Sequence, residues 1–183
     1  MASSGLSIVV HGGQTAAVAS DGTFHVEGLS GASAVVVHTT ASNDPTWYGG
    51  AAWVVPDASG GAMNVQIPVI RQTAKEQLLT GSMANLAGGE GITVLHLHDN
   101  TGAALTTATA PVVRGETAYY DTGNAYTMTQ GGAGTGPAGT AAYLGIAPDL
   151  AGIAVLVIHG THQLVVETIA VGNALVVTHA SLP

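Results

Sequence analysis

Histidine is the one enriched reactive side chain in this chain of 183 residues: His11, His25, His38, His96, His98, His159, His162 and His179. The sharpest arrangement is His96-Leu97-His98-Asp99. Alternate residues of a strand share a face, so His96 and His98 are placed side by side, close enough to share a metal. Asp99 points to the opposite face and is better suited to starting a turn. A third nitrogen is sought from His159 or His162, and the candidate ligand set is His96, His98 and His162. Neutral imidazoles of this kind suit Zn or Cu, and no other cofactor is expected. A structural reading competes with it. Three histidines fall seven residues after a glycine, at Gly31 to His38, Gly91 to His98 and Gly152 to His159, each across an apolar run. That spacing puts them at strand ends, where a half-polar ring bridges core and solvent.

Other chemistries lack their motifs. Asp99-Asn100-Thr101-Gly102 and Asp121-Thr122-Gly123-Asn124 have too few spaced oxygens for calcium loops and read as Asx-type turns. No Gly-Lys-Ser/Thr follows the glycine clusters, so they do not cradle phosphate. No Gly-x-Ser-x-Gly elbow is present, and nothing selects a carboxylate pair for glycoside hydrolysis. The chain is therefore not expected to be an enzyme. Among the aromatics, Trp47 and Tyr48 follow Asn43-Asp44-Pro45 and are the candidate exposed pair, fit to stack on a sugar ring or anchor a protein partner. Trp53 and Tyr143 are assigned to the core.

Composition narrows the partners. Only Arg71, Lys75 and Arg114 are basic, against eleven acids, and the formal net charge is −8. Nucleic-acid phosphates and anionic membranes need more cations than this. There is no cysteine, hence no disulfide scaffold and no thiolate metal site. Hydrophobic residues make up 46% of the chain, which argues for a packed core. No apolar run is long enough to span a bilayer as a helix, and Met1–Gly5 lacks the charged start of a signal peptide.

Short Val-, Ile- and Thr-rich runs bounded by Gly, Asn, Asp and Pro predict strands nearly throughout. They fall at 6–11, 15–19, 23–27, 34–39, 51–55 and 63–69. A second group follows at 77–85, 91–98, 103–107, 118–119, 125–129, 141–144, 153–159, 163–169 and 174–178. Turn signals stand at His11-Gly12-Gly13, Asp21-Gly22, Asp44-Pro45, Ser59-Gly60-Gly61 and Asp99–Gly102. Thr73–Ala87 is the one segment with helical character. It reads as a short turn near Ala74–Gln77 leading into a strand, because Gly81 and Asn85 weaken a helix. Gly131–Gly139 is low in complexity and reads as a long surface loop. The fold class is all-β: tandem antiparallel β-sandwich units, immunoglobulin-like or prealbumin-like, at 1–72 and 73–183. A faint echo supports two units, since Gly5-Leu6-Ser7-Ile8-Val9 parallels Gly91-Ile92-Thr93-Val94-Leu95 and Gly152-Ile153-Ala154-Val155-Leu156.

The stretch Gly5–Val10, Ser20-Asp21-Gly22-Thr23-Phe24, Glu27-Gly28-Leu29 and Gly31 with Val35-Val36-Val37 resembles bacterial carboxypeptidase-regulatory-like, or prealbumin-like, β-sandwich modules. Leu79-Thr80-Gly81, Asn85-Leu86-Ala87, Gly91–Val94 and Asp99–Gly102 look similar, and the likeness touches about half the chain. It implies an accessory, adhesive or structural module of a secreted protein, without catalytic residues. The second unit has an opening strand at Gln77–Asn85, whereas the first has only Met1–Ser4 in its place. A missing strand leaves an edge that another copy can fill. The expected function is thus a non-enzymatic extracellular or cell-surface structural protein, self-assembling into filaments or oligomers by strand complementation. Three alternatives stand beside it: a carbohydrate- or protein-binding module, a His-dependent Zn or Cu protein, and a viral capsid decoration or fibre protein. Scarcity of lysine, the residue that normally guards sheet edges, favours assembly.

Overall fold

The computed structural model describes residues 6–10, 13–27, 35–40, 46–55, 65–124 and 126–182. His11, the turns at Asp44-Pro45 and Ser59-Gly60-Gly61, the Gly28-Leu29 turn and the Met1–Ser4 segment lie outside these residues. In chain order the elements are β1 (Ser7–Val10), β2 (Thr15–Ala17), β3 (Val35–Thr40), β4 (Trp47–Tyr48), β5 (Gly50–Val54), β6 (Ile70–Arg71), α1 (Gln72–Gly81) and β7 (Gly91–Asp99). Then come β8 (Tyr119–Asp121), β9 (Met128–Gln130), β10 (Thr140–Ile146), β11 (Asp149–His159), β12 (His162–Ala170) and β13 (Leu175–Leu182). The protein is mostly β, as its apolar runs predict.

Nine strands form one sheet in the order β2-β1-β3-β5-β13-β7-β10-β8-β9, with β11–β12 and β4–β6 as separate two-stranded sheets. Most neighbours are antiparallel, but β13 runs parallel to both β7 and β5. The β13–β7 ladder holds eight residue pairs, from Leu175↔Ile92 to Leu182↔Asp99. The β13–β5 ladder holds only two, Leu175↔Gly50 and Val176↔Ala51. Those two pairs join the strands of 1–72 to those of 73–183.

Register assigns every side chain of the sheet to one of two faces. One face carries Leu95, Leu97, Tyr143, Ala180 and Leu182, and the β11–β12 hairpin packs over it through Ile153, Val155, Val157 and Val166. We call this the hairpin face. Fully burying each such aliphatic side chain stabilises the fold by about 1.5–3 kcal/mol. Tyr143 is 1% exposed and donates its hydroxyl to the Pro111 carbonyl at 2.8 Å. Burial raises its phenol well above the ordinary value. The opposite face, the helix face, is covered at one end by α1 and at the other by residues of the first half. Ile8, Val10, Val37 and Val54 there pack against Phe24, Val26, Val65 and Ile67.

Five sequence readings are corrected by these elements. The strand at Gln77–Asn85 is instead the end of α1 and the turn after it. Lys75-Glu76-Gln77-Leu78-Leu79 are strong helix formers, and Gly81 costs little because it closes the helix rather than sitting inside it. Leu78 and Leu79 pack on Tyr48 and Ile92. The contrast that made the first half appear to lack an opening strand therefore disappears. The runs 23–27 and 103–107 and the described part of 63–69 form no strand. Trp53 is 38% exposed rather than a core residue.

The Gly131–Gly139 segment is a loop, but a tightly specified one. Asp121 accepts hydrogen bonds from the amides of Gly136, Ala138 and Thr140 at 2.9, 3.0 and 2.8 Å. Thr135 is 3% exposed and ties the loop to the carbonyl of Leu105 and the amide of Ala108. Asp121 therefore braces this loop rather than starting an Asx turn.

Asp99 and Asp21 do form Asx turns. Asp99 accepts from the Thr101 amide, the Thr101 hydroxyl and the Ala103 amide at 2.8, 2.7 and 2.9 Å. Asp21 accepts from the amide and hydroxyl of Thr23 at 2.9 and 2.7 Å. The Thr101 hydroxyl and neighbouring amides hold Asp99 below the usual carboxylate range, and the Thr23 amide and hydroxyl do so for Asp21. Carboxyls depressed by folding add stability above their unfolded pKa, and that contribution is lost as pH falls through the folded value. The double variant Asp21→Asn/Asp99→Asn is expected to lose less stability than the parent between about pH 5 and pH 2. Urea titrations across that range check this, and identical acid slopes would contradict it.

Candidate functional site

Three histidines meet on the helix face. His96 and His98 lie two apart on β7, and His179 on β13 is the direct parallel partner of His96. The His96 and His179 ring centroids are 5.1 Å apart, and those of His98 and His179 are 6.4 Å apart. His96 and His98 are half-buried, while His179 is exposed. The pairing of His96 with His98 follows from strand alternation, as the sequence predicts. The third member does not. His162 begins β12, at the turn of the hairpin that covers the opposite face, where it pairs with His159. His162 is thus removed from the set by the sheet itself, and His179 takes its place. Nothing local in the sequence marks His179, because its neighbour in space is set by a parallel ladder spanning more than eighty residues.

Hydrogen bonding assigns the ring tautomers. The Thr140 hydroxyl donates to the Ala138 carbonyl at 3.2 Å, so its oxygen accepts from Nδ1–H of His96 at 3.0 Å. Nδ1–H of His98 donates to the Asp99 carbonyl at 3.3 Å. Both rings therefore keep Nε2 as a free lone pair. Burial, then repulsion from His179, lowers the pKa of His96, with the Asp121 carboxylate acting against them. As they stand, no three His, Asp or Glu side chains among the described residues gather around one point closely enough to enclose an ion.

Trp47 and Tyr48 form β4, which pairs with β6 beside the start of α1. The Arg71 guanidinium lies 4.1 Å from the Trp47 ring centre, and the Lys75 ammonium lies 4.8 Å from that of Tyr48. Two of the three basic residues are thus spent on these rings. Tyr48 is only 6% exposed, and its hydroxyl reaches the Ala174 carbonyl at 3.4 Å. Burial pushes its phenol up to about 12. The expected exposed pair is corrected accordingly: Tyr48 is a core residue and Trp47 is half-covered. Trp47 lines a cleft of about 550 Å³ together with Leu6, Phe24, Ile67 and His179.

A second opening follows from the short β13–β5 ladder. Beyond Val176 the two strands diverge, and among the described residues no strand pairs with Val177–Leu182 on that side. A groove of about 520 Å³ fills the fork, with Ala52, Trp53 and Val55 on one wall and Val177, Thr178 and His179 on the other. Glu167, Thr168 and Ile169 of β12 roof it from the hairpin side. Val55 is 67% exposed. Comparison with protein-family models, with curated proteins and with solved structures finds no match to this chain.

Proposed function

We propose that this is a non-enzymatic structural protein that assembles with copies of itself by taking an extended strand of a neighbouring copy into the fork between β5 and β13. The edge at Val177–Leu182, which no strand among the described residues pairs on the β5 side, carries this reading. An edge of this kind presents backbone donors and acceptors that a further strand can satisfy. Among the described residues the lining of its groove holds one carboxylate, Glu167, and no lysine or proline to turn a strand away. Trp53 and Val55 supply apolar surface that an inserted strand would cover. Insertion of one copy's strand into another copy's groove is head-to-tail and builds rings or filaments.

The likeness to prealbumin-like modules supports the same reading and an extracellular or cell-surface setting. Locally, Gly22 has φ +88° at the Asp21-Gly22 turn and Phe24 packs into the first-half core. The two-unit organisation draws support from the cores. One is built wholly from residues of 1–72 and another wholly from residues of 73–183, while two further clusters draw on both halves. We read the chain as two sandwich-like units fused through β5 and β13. A viral decoration or fibre protein would use the same assembly. The carbohydrate-binding alternative is weaker, because Tyr48 is buried and Arg71 occupies a face of Trp47.

Sedimentation velocity tests the proposal. The parent is expected to associate as concentration rises. Val55→Lys should weaken association at least about ten-fold, or 1.4 kcal/mol. Val112→Lys changes another exposed valine and should leave association unchanged. A parent that stays monomeric throughout would overturn the proposal.

A further inference from the structure

We infer that His96, His98 and His179 form a binding site for a divalent transition metal, zinc or copper(II), on the helix face of the sheet. Three independent features carry this. First, the eight-pair parallel ladder fixes His96 opposite His179, with His98 one pleat further along. Second, ring-centroid separations of 5.1 and 6.4 Å allow three Nε2 atoms to meet a metal about 2.0–2.1 Å from each. Third, the outer nitrogens are already oriented. Nδ1–H of His96 is held by Thr140 and Nδ1–H of His98 by the Asp99 carbonyl. Metal-binding imidazoles characteristically donate their second N–H in this way, which fixes the tautomer and aims the lone pair.

The three rings do not yet meet at one point, so binding requires the exposed His179 side chain to move toward His96 and His98. The Asp121 carboxylate, whose charge reaches His96, adds a favourable field for a cation. A site with three imidazoles and no thiolate or further carboxylate selects zinc or copper(II) over magnesium or calcium. Its fourth position is left to water.

Titration of the purified chain with Zn²⁺ and with Cu²⁺ by calorimetry tests the inference. One ion per chain is expected, and the Cu²⁺ complex should show hyperfine splitting from three nitrogens by electron paramagnetic resonance. His98→Ala and His179→Ala should each weaken binding at least about ten-fold, while His162→Ala and His25→Ala leave it unchanged. Thr140→Val, which removes the acceptor for Nδ1–H of His96, should weaken it about 10- to 100-fold without removing a ligand. Circular dichroism of each variant separates lost binding from lost folding. Absence of stoichiometric binding, or binding that survives His98→Ala/His179→Ala and disappears in His162→Ala, would overturn the inference. The assembly reading does not require a metal, although His179 also lines the fork.

Discussion

Gly50→Ala is expected to cost more than about 4 kcal/mol, the exceptional end of single substitutions, and to leave little of a stability that for domains totals about 5–15 kcal/mol. An added Cβ would sit 1.5 Å from the Pro68 carbonyl oxygen and 2.6 Å from its carbon. Both are backbone atoms of the segment crossing the helix face, so no side chain can swing away. Gly50 is also where the sheet is joined: it pairs with Leu175, and its amide bonds the Thr39 hydroxyl at 2.8 Å. Moving β5 to relieve the clash therefore breaks the seam between the two halves. Gly102→Ala is the contrast. It has φ +87° but nothing within 4 Å of the added carbon, so only backbone strain of about 1–2 kcal/mol is expected. Urea midpoints of the two variants check the argument. A Gly50→Ala protein as stable as the parent would show that Pro68 does not cross there.

Asp121→Ala should be the next most damaging change, at about 3 kcal/mol. Each amide bond to a charged acceptor contributes about 1.5–3 kcal/mol net, and the three are not additive because they share one carboxylate. The loss should appear locally as well as globally. Without Asp121 the amides of Gly136, Ala138 and Thr140 lose their acceptor, and the 131–139 loop should become the first site of proteolytic cleavage. Asp121→Asn retains one acceptor oxygen and should fall between the two. Equal protease resistance of Asp121→Ala and the parent would refute the brace.

The strand content was legible because period-two alternation and turn residues are local signals. β1, β3, β7, β10, β11, β12 and β13 all fall on expected runs. The helix was misread because Gly81 was weighed as an interior residue, when its position at the terminus makes it nearly harmless. Long-range pairing was not legible at all. Nothing in Leu175–Leu182 says that it runs parallel to both β5 and β7, and that arrangement alone creates the fork and brings His179 to His96. For the same reason the sequence does not show that the β13–β5 ladder ends after two residue pairs. His96 and His98 were found by alternation, and the third histidine had to come from topology. The burial of Tyr48 is not legible locally, because it sits in a cluster that Leu78 and Leu79 of α1 help to cover.

Hydrogen–deuterium exchange measured as a function of protein concentration tests strand complementation most directly. In the dilute chain, the amides of Val177–Leu182 that point away from β7 should exchange freely, since no strand among the described residues pairs with them on that side. As concentration rises and copies associate, those amides should become protected, and Val55→Lys should abolish the protection. Exchange there that stays fast while the protein associates, or no association at any concentration, would contradict the account.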